Sequence, residues 1–518
     1  MSIVYRYLRP ALQWMLLLAS LAWTLWFVYA GFGNHMDPLY WLHKYQHLDG
    51  GWMSAGSLLF GHLCVRLFGA KLLSLRLVGW GLTVLAIALP YCLLLSPRQR
   101  QDHLHWLALA YWMMGYGAFQ ELSPGTLTVF LLSLIALTAV RYRQQPTLLR
   151  GVVIGLLTGL AIAVRFPNIL VVIPLAVLFY MVLRIVGKDN PQGGIAVIAS
   201  AFISTIAAAG VIYGLSMDML SWSTVDPSMG GTHGLSKMIE NLWSKGALLL
   251  GFAALWYGIL AIGRRSWHWT IPIAVGVGYF TFYFFGKQWY NTDLTYCLSA
   301  ACIVLALASR RQTLLWFTAL LSVATLGTDV AWLKLFPAVL VLVPLLPTAY
   351  AAKMRTYLFL VLVGFTSVQS GRFCHSSIGN SDLTTSTVCA SVAPYQGLYI
   401  DSANNARIAQ LQADGERYSR QDSILAVGQD LHLIRSVTNC QAGYYNEFWS
   451  NIFDSVYTAK YEPQIVRRQP VVFCAYSPHF KTKPQYRDRY SAFEQMLQRN
   501  GYTPVDRSKY QYMIYIHR

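Results

Sequence analysis

The run ALQWMLLLASLAWTLWFVYA, Ala11 to Ala30, is twenty residues long and carries no charge. At about 1.5 Å per residue, a helix of that length crosses a hydrocarbon core of about 30 Å. Just beyond it stands HMDPLYWLHKYQHLDGGW, His35 to Trp52, with three His, one Lys, two Asp and several large aromatics in eighteen residues. The apolar run decides the fold class. The polar stretch after it raises the question of function.

Similar uncharged runs recur along the chain. Of its 518 residues 55% are hydrophobic and only 12% charged, against about 25% charged in soluble domains. Length alone would suggest roughly three or four soluble domains, but the runs predict a polytopic α-helical membrane protein. Thirteen spans are expected, near 11–30, 72–96, 104–119, 125–140, 152–164, 168–184, 195–216, 246–263, 270–286, 294–308, 313–327, 335–350 and 356–370. The first run is too long for a signal-peptide core and lacks a clear small-residue cleavage site. It reads as a retained helix with Arg6 and Arg9 on the cytoplasmic side.

The formal charge of +18 would suit a nucleic-acid binder. The basic residues instead sit in short clusters between apolar runs, where they orient helices. With the N-terminus inside, the inner segments hold fifteen Lys or Arg and the outer ones nine before residue 371, in agreement with the positive-inside rule. Of the ten acids before residue 371, only Asp102 and Asp189 fall inside; Asp37, Asp49, Glu121, Asp218, Asp226, Glu240, Asp293 and Asp329 fall outside. Acids contribute little to orientation. Solvation of outer loops accounts for most of this bias, and an outward-facing polar cavity is the functional alternative.

From Gly371 no run is long enough to span. Ser423–Gly428, Pro470–Tyr476 and Tyr510–His517 read as strands. NNARIAQLQADGERY (404–418) and RYSAFEQMLQRNG (489–501) read as helices ended by Gly. The expected organisation is a membrane domain over 1–370, with its first outer loop at 31–71, and an extracytoplasmic α/β domain over 371–518. Four of the eight Cys lie in this tail, at 374, 389, 440 and 474, as suits an oxidising compartment. A Cys374–Cys389 disulfide is the pairing expected. Internal repeats, a Walker motif, a Rossmann fingerprint and HExxH are all absent.

SAGSLLFGHLCVRLFGAKLLSLRLVGW, Ser54 to Trp80, begins amphipathic and becomes a span. Ser54–Phe68 is too short and polar for a clean crossing and reads as a helix lying along the interface. An acid soon after the first span, GGW some twelve residues on, then LFGAKLLSLRL (67–77) and a second span together resemble the GT-C superfamily of membrane glycosyltransferases. In pattern they are most similar to lipid A aminoarabinose transferases and protein O-mannosyltransferases. Asp37, Tyr40, Leu67-Phe68-Gly69 and Arg76 occupy the places of that motif. GLLTGLAIAVRFPNILVVIPL (155–175) resembles a second family stretch, with Arg165 and Pro167 at its basic and Pro positions. Many relatives carry two adjacent acids in the first loop, where this chain has Asp37 followed by Pro38. Many also carry an acid just before the fourth span. Here QELSPGTLTVF (120–130) has Ser123 and Pro124 near that point, with Glu121 slightly earlier as the substitute.

The resemblance implies transfer of a sugar from a polyprenyl-phosphate donor to a glycan, lipid or protein acceptor at the outer face of a bacterial inner membrane. A carboxylate must accept the acceptor's proton, and basic groups must stabilise the departing phosphate. Asp37 is then the base and Glu121 the second acid. Arg76, Arg165 and Lys287 face phosphate, while Tyr40, Asp49 and Asp329 line the cavity. A base opposite the leaving group implies inversion at the anomeric carbon. No cofactor is implied, and a divalent metal is not favoured. His35, His43 and His47 with Asp37 or Asp49 would supply metal ligands, but outer-loop His is ordinarily solvated or hydrogen-bonded.

Each residue also has a structural reading. Asp37 before Pro38 starts a turn, Asp49 is a natural turn residue, Glu121 solvates a loop, and Arg76 snorkels. Two other functions compete with transfer. A transporter or lipid-linked glycan flippase would place charge at mid-membrane and show similar halves. An assembly or sensor protein would leave the outer acids unexplained.

Overall fold

The structure is a computed structural model. It describes residues 2–31, 36–48, 52–114, 121–186, 191–217, 312–322, 338–345, 383–418, 424–428, 431–438, 465–475 and 484–517, with single residues across 243–258, 359–374 and 462–463. Over these residues the chain is mainly helical, with α1 (Ser2–Tyr29), α2 (Met36–His47), α3 (Ala55–Phe68), α4 (Leu72–Leu94), α5 (Pro97–Asp102), α6 (Leu104–Met114), α7 (Pro124–Gln144), α8 (Leu148–Val164), α9 (Val172–Val186), α10 (Pro191–Ser216) and α11 (Gln312–Ser322) preceding the C-terminal elements. Among the described residues five segments are long and apolar enough to cross a membrane: Pro10–Tyr29, Leu72–Leu94, Pro124–Gln144, Phe166–Arg184 and Gly194–Ser216. They fall on the expected runs at 11–30, 72–96, 125–140, 168–184 and 195–216. The expected spans at 270–286 and 294–308 lie outside the described residues, and those at 104–119, 246–263, 313–327, 335–350 and 356–370 do so in part.

The described residues form two compact units. The first comprises Met1–Val28, Leu48–Leu63 and Arg76–Arg372. Its helices turn apolar side chains outward, with Leu12, Met15 and Leu18 on α1 and Phe202, Ile203 and Ile206 on α10 all exposed. Such faces suit lipid, which solvates them without the cost water would impose. Inward, short polar links replace the missing hydrophobic drive between helices. Trp80 Nε1 donates to Thr24 Oγ1 at 2.8 Å, and Ser133 Oγ donates to the Ala86 carbonyl at 2.9 Å. They tie α4 to α1 and α7 to α4.

α8 and α10 approach each other closely. α8 presents Gly151, Gly155 and Gly159 at four-residue spacing, one face of a helix. A methyl group built on Gly155 would stand 2.1 Å from the Ala201 carbonyl oxygen, so only glycine lets these backbones meet. α7 begins at Ser123, whose side chain accepts from the Thr126 backbone N–H, with Pro124 in the first turn. That is the expected use of a Ser-Pro pair at a helix start.

The second unit comprises Tyr29–His47, Cys64–Leu75 and Phe373–Arg518. It adds helices α12 (Ser402–Tyr418), α13 (Leu431–Thr438) and α14 (Pro484–Arg499) and strands β1 (Val388–Cys389), β2 (Tyr399–Ile400), β3 (Ile424–Gly428), β4 (Val471–Ala475), β5 (Tyr502–Arg507) and β6 (Tyr512–His517). Four strands form one sheet in the order β3-β4-β6-β5. β3 runs parallel to β4 and the other pairs are antiparallel, with Val427 opposite Cys474 and Cys474 opposite Met513. Leu425, Val427, Val472, Cys474 and Tyr515 of the sheet pack with Phe493, Met496 and Leu497 of α14 into one core. The chain that leaves α1 joins this unit through its backbone: Gly31 N–H donates to the Tyr399 carbonyl at 2.8 Å. At the other end of the loop, Leu72 N–H donates to the Pro394 carbonyl at 3.0 Å.

Three strands expected from sequence appear at β3, β4 and β6, and β5 and α13 are additions. α14 ends as expected, with Gly501 at φ +83°. α12 does not end at its glycine. It runs through Gly415 to Tyr418, and packing rather than termination requires the glycine: a side chain at 415 would strike Thr438, whose Cβ lies 2.8 Å from the methyl position. The Cys374–Cys389 disulfide is also corrected. Cys374 and Cys389 are not joined to each other, and Cys474 is buried in the sheet core while Cys389 is exposed on β1. Cys440 lies outside the described residues.

Candidate functional site

Two of the expected site residues meet. Arg76 stands in the second turn of α4, and Glu121 lies just before α7. Arg76 Nε is 4.0 Å from Glu121 Oε1, with side-chain exposures of 4% and 12%. Arg76 Nη1 also donates to the Val28 carbonyl, near the end of α1, at 3.4 Å. The Glu121 backbone is fixed by the Thr126 hydroxyl, which donates to its carbonyl at 2.6 Å. The cap of α7 therefore sets where this carboxylate stands. A carboxylate and a guanidinium held this far from water are expensive to bury. Their mutual attraction offsets part of that cost.

Arg165 caps α8 at its C-terminal end, before a 3-10 turn over Phe166–Val171. It is half-buried. Desolvation lowers its pKa to about 10, so it stays cationic at neutral pH. Its turn is held by Asn168, a residue the sequence reading did not single out. Asn168 N–H donates to the Arg165 carbonyl at 2.9 Å, and its Nδ2 donates to Ala161 O at 2.7 Å and Thr128 Oγ1 at 2.8 Å. A carbonyl can only accept, so contact with Ala161 O identifies Nδ2. The available signal was a lone amide three residues past the basic position in an apolar stretch. α3 closes on the same turn through Gly56, where a methyl group would stand 3.0 Å from the Ala163 carbonyl carbon.

The first-loop candidates lie on α2, in the second unit. Asp37 is the second residue of that helix; its side chain is outside the described residues. The Tyr40 ring lies 4.6 Å from Lys44 Nζ and packs its edge against His432 at 5.2 Å. His43 Nε2 lies 2.6 Å from Arg435 Nη2. Arginine has no acceptor, so His43 accepts on Nε2 and carries its hydrogen on Nδ1. Burial, then the Arg435, His47, His432 and Lys44 charges, pushes the His43 pKa down to about 3. His35, Asp49, Lys287 and Asp329 lie outside the described residues. Among the described residues no group of three or more His, Cys, Asp or Glu is placed to hold a metal ion.

No protein-family model matches the chain, and no curated protein matches it. Two crystal structures of ArnT from Cupriavidus metallidurans are similar in outline. The apo state shares 12% identity over 98% of each chain with a TM-score of 0.42. The form bound to undecaprenyl phosphate shares 12% identity over 99% of this chain and 98% of that one, with a TM-score of 0.41.

Proposed function

We propose that the chain is a GT-C-type glycosyltransferase. It moves a sugar from a polyprenyl-phosphate donor to a glycan, lipid or protein acceptor at the outer face of a bacterial inner membrane. In this reading the chain crosses thirteen times from a cytoplasmic N-terminus, and residues 371–518 form a periplasmic α/β domain. The observation that carries the reading is the buried Arg76–Glu121 pair at the starts of α4 and α7. Charge buried among apolar helices is costly and is retained where chemistry needs it.

The Asp37 carboxylate takes the proton of the acceptor hydroxyl as its oxygen attacks the anomeric carbon. The bond from that carbon to the donor phosphate oxygen breaks, and its electron pair leaves on the polyprenyl phosphate. Arg165 and Lys287 stabilise the charge that develops there. Attack opposite the leaving group inverts the anomeric centre. Glu121 is the second acid, and Arg76, assigned to phosphate by the motif, stands beside that carboxylate and keeps it in register. The residues named complete this step without a metal.

The test is Asp37→Asn in membranes supplied with a lipid-linked sugar donor. Transfer falls by about 10²–10⁴-fold while expression and folding are unchanged. Full activity in that variant overturns the role of Asp37. A deletion strain separates transfer from flipping: loss of one sugar residue from the surface glycan supports the transferase, and loss of a whole glycan supports a flippase.

A further inference from the structure

The first unit gathers arginines at the end far from the Arg76–Glu121 pair. Ser133 Oγ bonds the Ala86 carbonyl and Arg141 Nη2 bonds the Leu93 carbonyl at 2.5 Å, so α4 and α7 run side by side in one direction. Arg76 and Glu121 lie where these two helices start. Their C-terminal ends therefore meet about 30 Å away, the length of a twenty-residue helix. The Tyr91 hydroxyl, on α4, donates to the Arg100 carbonyl and seats α5 at that end. Arg150 Nη1, at the start of α8, donates to the Arg141 carbonyl at 2.8 Å and the Gln145 carbonyl at 2.7 Å. The segments 93–102 and 141–150 carry five Arg and one acid, Asp102.

Three of the five have evident structural work. Arg141 and Arg150 close carbonyls that the last turns of α4 and α7 leave open. Arg98 Nε lies 3.9 Å from Asp102 Oδ2, with both side chains well exposed. Arg100 and Arg143 differ. Both are half-buried, and the Nε of each is closed to solvent with no hydrogen-bond partner. Among the described residues neither side chain makes a hydrogen bond or an ion pair. Orienting a helix in a membrane needs only nearby positive charge, which exposed Arg98 supplies. The helix dipole favours a cation near the end of α7 but does not satisfy an N–H drawn away from water. Such donors call for an acceptor.

We propose that Arg100 and Arg143, where the ends of α4, α5 and α7 come together, bind the phosphodiester headgroup of an anionic phospholipid. The planar guanidinium matches phosphate oxygens in pairs, and basic sites between membrane helices suit such headgroups. The neighbouring side chains favour a lipid over a free anion. Leu93, Leu148 and Leu149 are 50%, 56% and 72% exposed, an apolar surface for acyl chains beside the charge. Assigning this end to the cytoplasmic leaflet rests on the orientation proposed above; the binding itself does not.

The experiment is native mass spectrometry of the full chain in detergent, titrated with phosphatidylglycerol or phosphatidylcholine. One phosphatidylglycerol is expected to bind at least tenfold more tightly than phosphatidylcholine. The double variant Arg100→Gln/Arg143→Gln should lose that preference, and Arg98→Gln should keep it. Should the double variant fail to fold, Arg143→Lys keeps the charge without the planar fork and should weaken binding at least threefold. No preference in the wild type, or an undiminished preference in the folded double variant or in Arg143→Lys, overturns the proposal. An equal loss in Arg98→Gln also overturns it, because diffuse surface charge would then suffice. Displacement of the lipid by inorganic phosphate at equal concentration would make the occupant a free anion and overturn it too. Lipid retention is read without turnover, so its failure is distinct from any failure of sugar transfer.

Discussion

Arg76 Nε lies 4.0 Å from Glu121 Oε1, and the same guanidinium donates to the Val28 carbonyl at 3.4 Å. One side chain on α4 thereby links the end of α1 to the approach to α7. Removing either charge leaves the other in a site largely closed to water. Arg76→Gln is expected to cost on the order of 3 kcal/mol, visible as a lower melting temperature in detergent. Glu121→Gln keeps the shape of the side chain and tests the chemistry, with transfer falling about 10²-fold or more. Wild-type turnover in Glu121→Gln would remove Glu121 from the mechanism.

Gly155 and Gly210 make a matched pair for testing helix packing. A methyl group at 155 meets Ala201 O at 2.1 Å, whereas one at 210 meets nothing within 4 Å. Gly155→Ala should destabilise the protein by about 1–3 kcal/mol. Gly210→Ala should be neutral or stabilising by about 0.5–1 kcal/mol. Equal melting temperatures for the two variants would mean that α8 and α10 do not pack as described.

Asp414 pins α12 to the sheet. Arg507 donates to it through Nε at 2.7 Å and Nη2 at 3.1 Å, and the Tyr512 hydroxyl donates at 2.7 Å. Burial alone would raise the Asp414 pKa, but hydrogen bonds from Arg507, Tyr512 and Gln410 bring it below the usual value. The unfolded chain therefore binds a proton more readily than the folded one. The stabilisation is complete above the unfolded pKa, near pH 4, and is lost as pH falls through the lower folded value. Asp414→Asn should cost about 1.5–3 kcal/mol at pH 7 and flatten the melting profile below pH 4.

His43 gives a second pH dependence at milder acidity. Its folded pKa is lowered from 6.5 to about 3 by burial and by Arg435, His47, His432 and Lys44. Below about pH 6.5 the unfolded state takes up a proton that the folded state refuses. Stability is complete above that pH and declines as pH drops toward 3. His43→Gln keeps an acceptor for Arg435 and removes the titration, so its melting temperature should change less between pH 7.5 and 5. Titration of His43 near its ordinary value by NMR, with no bound anion, would contradict the structure.

Much of the helical framework was legible because a membrane imposes a simple rule. A segment that crosses hydrocarbon must be apolar throughout and satisfy its own backbone. The runs at 11–30, 72–96, 125–140 and 195–216 obey it and appear as α1, α4, α7 and α10 within a few residues of the expected ends. β3, β4 and β6 were legible as short apolar stretches bounded by polar ones. β5 was missed because Pro504 and Asp506 interrupt its pattern. α13 is only eight residues long, too short for its periodicity to stand out. Gly415 looked like a helix end because the contact that requires it, Thr438, is distant in sequence.

The sequence by itself determined the polytopic class, the orientation signal in its basic residues, and the residue types available for chemistry. Those follow from local composition, which acts on each segment independently. Only the tertiary structure decided which of those residues meet. It brought Arg76 to Glu121, forty-five positions away, and Arg435 to His43, 392 positions away. It also showed that Asn168 holds the turn bearing Arg165. Such pairings depend on helix packing and strand register, which arise from contacts summed over distant segments, so no local pattern encodes them.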